Sequence, residues 1–355
     1  ERNLDGSLSV SMDKLKHASP SYELVSAFRA SFLLMAPLLA RFGKVRLPLP
    51  GGCQIGLRPI DLHLKGFAAL GAKIRQGHGY VEAKCERLKG AKIYLDFPSV
   101  GATENILIAA ATADGETVIE NAATEPEIVD LANFLNRMGA DIKCAGCDTI
   151  HITGVKEMTP CGHTIIPDRI EAGTFMAAAA LCKGDITIEN VVPDHLKPVI
   201  SKFEEMGIIV TPGESSLHIQ AKERYSATDI KTMPFPGFPT DMQSLFMTMM
   251  CVADGSGMII ETIFENRFLH VPELIRMGAK IKIDGRTAVI DGTKKLTGAQ
   301  VQATDLRAGA ALVLAGLRAQ GETEIRNIEH IERGYDHLED KLTALGAKIE
   351  KVETP

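Results

Sequence analysis

One short segment recurs five times along the 355-residue chain at a nearly constant distance. Each copy contains a glycine, and successive glycines lie 68, 68, 71 and 68 residues apart. Each glycine follows an amphipathic helical pattern and precedes an alternating apolar and polar run, which predicts a surface helix ended by glycine and then a β-hairpin. The copies are LGAKI (70–74), MGADI (138–142), MGIIV (206–210), MGAKI (277–281) and LGAKI (345–349).

A second helix, apolar on nearly all sides, is predicted roughly forty residues before each glycine, and such a helix must be buried all round. Each unit then reads strand, buried helix, strand, surface helix and two strands. This pattern predicts an α/β protein in which sheets surround buried helices, an inside-out arrangement. The buried segments are SAFRASFLLMAPLLARF, SVGATENILIAAATA, DRIEAGTFMAAAALC, TDMQSLFMTMMCVA and DLRAGAALVLAGLRA.

The length and the repeat together predict two domains, 1–166 and 167–355, with the boundary in the loop between the second and third units. Residues 5–11 resemble the second half of a closing hairpin. We therefore expect the chain to begin inside a sixth unit, so that the first domain is incomplete at its N-terminus. Six units would divide into three per domain.

Composition narrows the class of protein. The net charge of −6 argues against general nucleic-acid binding, which needs a surplus of Lys and Arg. Seven scattered cysteines indicate free thiols in a reducing compartment, and no secretory signal or membrane-length apolar run is evident, so a cytoplasmic protein is predicted. Cys182 and Cys251 are expected in the core, and the Cys144/Cys147 pair lies in a predicted hairpin without a second pair, so no metal site is predicted.

The loop LPLPGGCQIGLRP (47–59) concentrates glycines around Cys53 and ends in Arg58. Glycines permit backbone conformations that direct several N–H groups at an anion, and a thiol in such surroundings has a lowered pKa. Cys53 is therefore a candidate acid or nucleophile. The alternative is a small apolar side chain in a turn.

Arginines occupy the first turns of three buried helices, where they oppose the helix dipole, and anion binding would explain them. Asp residues at such positions are usually N-caps, and Asp168 and Asp305 are interpreted in that way. If the helix N-termini converge, two facing domains would enclose an anion-attracting cleft. Arg267 and Arg333 would complete a cationic clamp, although either alone is more often a surface ion-pair partner, and Asp241 is a candidate general base. The first-turn arginines are Arg29, Arg169 and Arg307.

Several of these segments resemble the bacterial UDP-N-acetylglucosamine 1-carboxyvinyltransferase family, and the matches span nearly the whole chain. They include LPGGCQIGLRPIDLH, ENAATEPEIVDLANFL, PDRIEAGTF, FPTDMQ, ETIFENRFLHVPELIRMGA, ATDLRA and IERGYDHLEDKL. The resemblance implies two inside-out α/β barrel domains of three βαβαββ units each, the enolpyruvyl transferase fold. It also implies transfer of the enolpyruvyl group of phosphoenolpyruvate to the sugar 3′-hydroxyl, with release of phosphate and without a metal or organic cofactor.

The resemblance further implies roles for individual residues. Cys53 corresponds to a proton donor that forms a phosphoenolpyruvate adduct and reacts with fosfomycin, and Asp241 to the proposed base at the sugar hydroxyl. Arg58, Arg307 and Arg333 correspond to phosphoenolpyruvate contacts, and Arg169 and Arg267 to further cleft arginines. Contacts to the UDP-sugar correspond to Arg29, Arg58, Pro59, Ile60, Asp61, Leu62, Ser99, Val100, Gly101, Asp241 and Ile263.

The sequence departs from the family pattern in one respect, and two alternative functions remain open. The family carries a Lys-Asn pair near its N-terminus, and this sequence begins downstream of it, so weak or no turnover is expected from the chain alone. The first alternative is transfer to shikimate 3-phosphate, against which the Cys53 loop argues. The second is a catalytically impaired paralogue that binds UDP-sugar.

Overall fold

A computed structural model describes residues 1–3, 5–12, 15, 19–51, 55–56, 59–221 and 224–352. The chain divides into two compact units. The first comprises Glu1–Gly52, Ile60–Ala123 and Leu131–His163, and the second comprises Cys53–Pro59, Thr124–Asp130 and Thr164–Pro355. The main division lies close to the predicted boundary at 166/167, and the two-domain organisation with those limits stays a prediction.

The first unit contains a three-stranded antiparallel sheet in the order β1-β3-β2 and a four-stranded sheet in the order β4-β5-β7-β6. Its helices are α1 (Tyr22–Ala27), α2 (Met35–Phe42), α3 (Asp61–Ala69), α4 (Val100–Ala110) and α5 (Pro126–Arg137), of which α5 begins in a segment grouped with the second unit. Its strands are β1 (Lys44–Pro48), β2 (Lys73–Gly77), β3 (Tyr80–Lys84), β4 (Lys92–Tyr94), β5 (Glu116–Glu120), β6 (Asp141–Lys143) and β7 (Thr149–Thr153).

The second unit contains sheets in the orders β8-β10-β9, β11-β12-β14-β13 and β15-β16. Its helices are α6 (Arg169–Cys182), α7 (Lys197–Glu205), α8 (Gln243–Met250), α9 (Val271–Arg276), α10 (Leu306–Arg318), α11 (Glu329–Glu332) and α12 (Leu338–Ala344). Its strands are β8 (Asp185–Glu189), β9 (Ile209–Pro212), β10 (Ser216–Gln220), β11 (Ile230–Lys231), β12 (Ser256–Ile260), β13 (Lys280–Asp284), β14 (Thr287–Asp291), β15 (Gln300–Gln302) and β16 (Glu324–Arg326).

The predicted βαβαββ unit is confirmed, and two copies show all six elements. One runs β4, α4, β5, α5, β6 and β7, and the other runs β11, α8, β12, α9, β13 and β14. In both copies the first two strands are parallel and the other pairs antiparallel, and the strand order in the sheet is the same. The repeated sequence segment therefore encodes a repeated topology.

The repeat glycines have the backbone conformation that a helix C-terminus requires. Their φ angles are 92°, 107°, 85°, 95° and 100° for Gly71, Gly139, Gly207, Gly278 and Gly346. An L-amino acid with a side chain is strained in this region, whereas glycine is not. Each glycine ends the surface helix of its unit, so the nearly constant spacing of the glycines follows from the nearly constant length of the unit.

Four of the five segments predicted to be buried helices are buried on nearly all sides, and the first is not, because Pro37, Ala40 and Arg41 of α2 are exposed. All eight residues of α8 are inaccessible to solvent or nearly so, and α6, α8 and α10 pack against one another in the second unit. The first predicted helix differs, because Phe28 is extended (φ −136°, ψ 145°) and divides it into α1, a 3-10 helix over Arg29–Leu34, and α2. The Ser31 hydroxyl donates to the carbonyl of Phe28 at 2.6 Å, an example of local side-chain bonding that competes with a helix.

The cysteines only partly follow the predictions. Cys251 is fully buried beyond the end of α8, as expected. The placement of Cys182 in the core is wrong, because it is the last residue of α6 and its side chain is exposed. Cys144 and Cys147 are exposed in the turn that joins β6 to β7.

Helix lengths are moderate throughout the described ranges, where α6 is the longest helix with 14 residues. In this part of the chain no helix combines the length and the apolar character that crossing a bilayer requires.

Substituting a repeat glycine should destabilise the protein through its backbone alone. Gly139 has a φ of 107°, and a Cβ built there would meet only one atom within 4 Å, at 4.0 Å. We expect Gly139→Ala to lower the free energy of unfolding by about 1 kcal/mol, measured by urea denaturation. Gly162→Ala is the control, because that site has open space and no positive φ, and a change there within about 0.5 kcal/mol is expected. Equal effects of the two substitutions would contradict the role of φ.

Candidate active site

The carboxylate of Asp241 lies between two arginine side chains in the second unit. Its Oδ1 accepts a hydrogen bond from Arg267 Nη2 at 2.8 Å, and its Oδ2 accepts one from Arg307 Nε at 3.1 Å. The arginine side chains are only 4% and 10% exposed, whereas that of Asp241 is 35% exposed. The Asp241 side chain is therefore partly exposed, while its two partners are buried.

Helix ends position these three groups. Asp241 lies in a short 3-10 helix, Thr240–Met242, directly before α8, and Arg307 lies in the first turn of α10. Asp305 is the N-cap of α10, and its carboxylate accepts from the backbone N–H groups of Arg307 and Ala308 at 2.9 and 3.0 Å. Asp168 caps α6 in the same way. The N-cap interpretation of both aspartates is confirmed.

The electrostatics of the cluster favour a fixed negative charge on Asp241. Burial acts to raise the pKa of this carboxyl, but the guanidinium groups of Arg267 and Arg307 outweigh it and hold the pKa well below its usual range. Burial likewise acts to lower the pKa of Arg307, and the Asp241 charge raises it instead. Arg267 and Arg307 thus share the single carboxylate of Asp241, and each guanidinium has further N–H groups that can donate to another anion.

Tyr335 connects this cluster to α6. Its hydroxyl lies 2.9 Å from Thr174 Oγ1, and the Arg307 guanidinium lies 5.2 Å from the centre of its ring. Burial raises the pKa of Tyr335, so it remains a neutral hydrogen-bonding group.

Arg333, two residues before Tyr335, is exposed, and no bond joins it to the cluster among the described residues. Ile263 is half-buried on the loop that leads to Arg267.

Arg169 has a carboxylate partner of its own. Its Nε donates to Glu127 Oε1 at 2.9 Å, and its guanidinium lies 5.7 Å from the centre of the Phe235 ring. Glu125 accepts a long hydrogen bond of 3.4 Å from the Phe235 N–H, and burial raises the pKa of this carboxyl. The sequence predicted external anions for the first-turn arginines, and in two cases the chain itself supplies the counter-ion.

In the first unit, the His63 side chain is buried beside some of the residues that the sequence predicts for the site. Its Nδ1 lies 2.8 Å from Asn105 Nδ2, which makes Nδ1 the acceptor, and its ring packs edge-on against Phe32. A Cβ at Gly101 would lie 3.1 Å from His63 Cε1. Burial, with a smaller contribution from the Arg29 charge, lowers the pKa of His63 to about 4, so the ring is neutral at pH 7.

The remaining candidates in this unit lie at helix N-termini. Ser99 is the N-cap of α4, and its hydroxyl accepts from the Ala102 N–H at 3.4 Å. Val100 and Gly101 follow in the first turn, and both are half-buried. Ile60, Asp61 and Leu62 begin α3, where Asp61 is exposed. Exposed N–H groups at such ends are suited to binding an anion or a sugar hydroxyl.

Cys53 and Arg58 lie outside the described residues. The parts of their loop that are described belong to different units. Gly51 lies against the Ser26 carbonyl, where a Cβ would come within 1.8 Å of the oxygen. Ile55 accepts a hydrogen bond from the Asn266 N–H at 2.9 Å, next to Arg267, and Pro59 is exposed.

Sequence reasoning missed four side chains at these sites. His63 and Tyr335 belong to motifs quoted above, but nothing local marked them as buried polar groups. Glu261 and His270 flank the loop that carries Arg267 and are each 1% exposed. Burial lowers the pKa of His270 to about 4, so it lies as a neutral ring near Asp305 and Arg267. The sequence signal for Glu261 and His270 would have been a polar residue at the end of an apolar strand or loop.

Outside these clusters, the described residues contain one group of three side chains that could hold a metal ion, His337, Glu339 and Asp340, and it is largely exposed. A cavity of about 400 Å³ in the second unit contains none of the candidate residues. Another of about 410 Å³ lies at the C-terminal ends of buried helices, where its basic side chains, such as Lys183 and Arg318, compensate the helix dipoles.

Comparison with known proteins identifies close relatives. The family model described as EPSP synthase (3-phosphoshikimate 1-carboxyvinyltransferase) matches residues 3–342. UDP-N-acetylglucosamine 1-carboxyvinyltransferase 1 of Caldanaerobacter subterraneus is 63% identical over 345 residues, which are 97% of this chain and 83% of that protein. UDP-N-acetylglucosamine 1-carboxyvinyltransferase 2 of Carboxydothermus hydrogenoformans is 58% identical over 350 residues, which are 98% of this chain and 84% of that protein.

Solved structures agree on the fold. The enolpyruvyl transferase NikO from Streptomyces tendae has a TM-score of 0.84 at 28% identity, covering 94% of this chain and 79% of that one. EPSP synthase from Acinetobacter baumannii has a TM-score of 0.68 at 21% identity, covering 92% and 79%. The predicted enolpyruvyl transferase fold is confirmed.

Replacing Asp241 should destabilise the protein in a pH-dependent manner. Asp241→Asn leaves two buried guanidinium groups without a counter-ion, which should cost about 3 kcal/mol, the low end for a buried pair because Asp241 is partly exposed. The pKa of Asp241 is lower in the folded protein than in the unfolded chain. Its contribution is therefore complete above about pH 5 and declines as the pH falls through about 4.

Urea denaturation of wild type and variant at several pH values measures this difference. Asp254→Asn is the control, because Asp254 pairs with Arg224 at the surface with both side chains 52% exposed. The control should change stability by less than about 1 kcal/mol. A difference for Asp241→Asn that does not shrink on acidification would contradict the ion-pair account.

Proposed function

The chain belongs to the UDP-N-acetylglucosamine 1-carboxyvinyltransferase family, and on that premise we propose that it transfers the enolpyruvyl group of phosphoenolpyruvate to the 3′-hydroxyl of UDP-N-acetylglucosamine. The product serves peptidoglycan precursor synthesis. The observation that carries the proposal is 63% identity to one such transferase over 97% of this chain. The two arginines that contact Asp241 support it, because both substrates are anionic and guanidinium groups bind phosphate and carboxylate.

The reaction is an addition followed by an elimination. The sugar 3′-oxygen forms a bond to C2 of phosphoenolpyruvate and gives up its proton, while C3 gains a proton. C3 then loses a proton as the bond between C2 and the phosphate oxygen breaks, which leaves the enolpyruvyl ether and inorganic phosphate. A positioned acid, a positioned base and cations for the phosphate and carboxylate groups suffice for these steps.

We assign the acid to Cys53 and the base to Asp241. Two guanidinium groups lower the pKa of Asp241, which makes its carboxylate a weak base. Binding of phosphoenolpyruvate supplies new anionic partners for Arg307. Sharing that arginine raises the pKa of Asp241, so the base becomes effective only when the second substrate is bound. Arg58 and Arg333 are the other cations proposed for phosphoenolpyruvate, and Arg169 and Arg267 complete the positive surface.

The UDP-sugar is assigned to the helix N-termini of the first unit and to the loop before Arg267. Backbone N–H groups at the starts of α3 and α4 are donors for phosphate or hydroxyl oxygens. The neutral His63 ring, packed beside Gly101, supports that surface. The proposed contacts are Arg29, Arg58, Pro59, Ile60, Asp61, Leu62, Ser99, Val100, Gly101, Asp241 and Ile263.

The organisation proposed for the protein follows from the same premise. The proposed domains are 1–166, which carries the Cys53 loop, and 167–355, which carries Asp241. The proposed partners are the two small substrates, without nucleic acid or a membrane, and the proposed location is the cytoplasm.

A second candidate acceptor is shikimate 3-phosphate, which the family description favours because it names 3-phosphoshikimate.

We expect calorimetry on the full gene product to detect binding of UDP-N-acetylglucosamine. We also expect phosphate release with shikimate 3-phosphate to have a kcat/KM at least about 100-fold lower, because a site built for one set of hydrogen bonds rejects the other. The reverse preference would assign the second function, and binding of UDP-sugar without any turnover would indicate an impaired paralogue.

Fosfomycin should alkylate Cys53 selectively. Incubation of the native protein with fosfomycin and UDP-N-acetylglucosamine should add one label, located by peptide mass spectrometry on Cys53 and absent from Cys53→Ser. The exposed Cys144, Cys147 and Cys182 are internal controls for accessible thiols, and we expect them to stay unmodified. Label on these residues instead would refute an activated thiol at Cys53.

A further inference from the structure

Glu261 is a buried carboxylate whose hydrogen bonds are all made to uncharged groups. It directly follows β12 and is 1% exposed. Its Oε1 accepts from Thr232 Oγ1 at 2.9 Å and from the N–H groups of Ile263 and Phe264 at 2.8 and 3.2 Å. Its Oε2 accepts from Thr240 Oγ1 at 2.8 Å. A buried charge is tolerated when it is hydrogen-bonded in this way.

The donors belong to three separate segments that meet at this carboxylate. Thr232 directly follows β11, and Thr240 precedes Asp241 in its 3-10 helix. Ile263 and Phe264 open the loop that ends in Arg267, whose guanidinium lies 5.3 Å from the centre of the Phe264 ring. The carboxylate thus joins the segment before Asp241 to the segment that carries its partner Arg267.

Resting on the function proposed above, we propose that Glu261 is a positioning residue that holds Asp241 and the 263–267 loop at the distance that the acceptor sugar requires. The residue does not touch the reacting atoms, and it acts through Thr240 and the two loop amides.

The chemistry of the donors explains why a carboxylate occupies this position. Two backbone N–H groups cannot accept, so the group facing them must offer an acceptor oxygen, and two hydroxyls add further donors. An apolar side chain of the same size would leave both amides unsatisfied in the interior. Glutamine would satisfy the amides with its oxygen and could donate its NH₂ group to Thr240 Oγ1, which is also an acceptor.

The segment that carries Asp241 depends on such a tether. A 3-10 helix of three residues has few bonds of its own, here Met242 N–H to the Pro239 carbonyl and Gln243 N–H to the Thr240 carbonyl. The Thr240 hydroxyl fixes the beginning of this turn to Glu261. A catalytic group displaced by about 1 Å loses on the order of 100-fold in rate, so the tether bears directly on turnover.

Thr240→Val tests the tether with the least disturbance, because it removes one hydroxyl and keeps the side-chain shape. In the full gene product we expect kcat for enolpyruvyl transfer to fall about 10- to 100-fold, with the KM for phosphoenolpyruvate within about threefold of wild type. Thr248→Val is the matched control, since Thr248 is a buried threonine of α8 whose hydroxyl bonds the Ala311 carbonyl and not Glu261. The control should keep kcat within about twofold.

Substitutions at Glu261 separate positioning from simple structural support. Glu261→Gln should retain most of the activity and Glu261→Ala should lose more than Thr240→Val, because it removes both links. Hydrogen exchange of the Ile263 and Phe264 amides, measured without substrates, should be faster in Glu261→Ala and close to wild type in Glu261→Gln.

The results distinguish the failure of this inference from the failure of the proposed function. If the wild type transfers the enolpyruvyl group and folded Thr240→Val and Glu261→Ala keep kcat within twofold, the positioning role is wrong. Unchanged amide exchange in Glu261→Ala overturns the tether itself, whatever the activity. Absence of transfer by the wild-type full gene product rejects the proposed function, and the positioning role with it, while exchange still reports whether the tether exists.

Discussion

Helices buried on every side impose the main constraint on the second unit. The sides of α6, α8 and α10 are covered by one another and by the surrounding sheets, so they cannot carry accessible polar groups. Only the ends of these helices reach positions where charge is tolerated. The Asp168 and Asp305 caps, the Asp241 turn and the Arg307 guanidinium all lie at N-terminal ends, and this is why the candidate chemistry is concentrated there.

The sequence was sufficient for the features that depend on local rules. The glycine at each helix C-terminus, the alternation of the hairpins and the N-cap aspartates each follow from neighbouring residues, and all were predicted. Long-range features were not accessible in this way. Nothing in the sequence indicates that Asp241 contacts both Arg267 and Arg307, or that Glu261 accepts bonds from three segments. Cys182 was misplaced because the last position of a helix can face either the core or solvent.

The first-turn arginines show that the position of a charged residue in the sequence does not identify its partner. Their positions at helix starts correctly indicated a need for negative charge, but carboxylates of the chain meet that need, Asp241 for Arg307 and Glu127 for Arg169. A buried guanidinium is costly without a partner, and these carboxylates remove that cost. Pairing of this kind depends on tertiary structure and leaves no local pattern.

The pairing of Asp241 with its arginines also determines which anions can enter. A carboxylate fixed to the same chain competes with every external anion at a very high effective concentration, whereas chloride or free phosphate competes only at its bulk concentration. A ligand that displaces Asp241 must therefore offer several groups that bind together. We expect from this competition that a small inhibitor aimed at these arginines needs a second anchoring group to bind tightly.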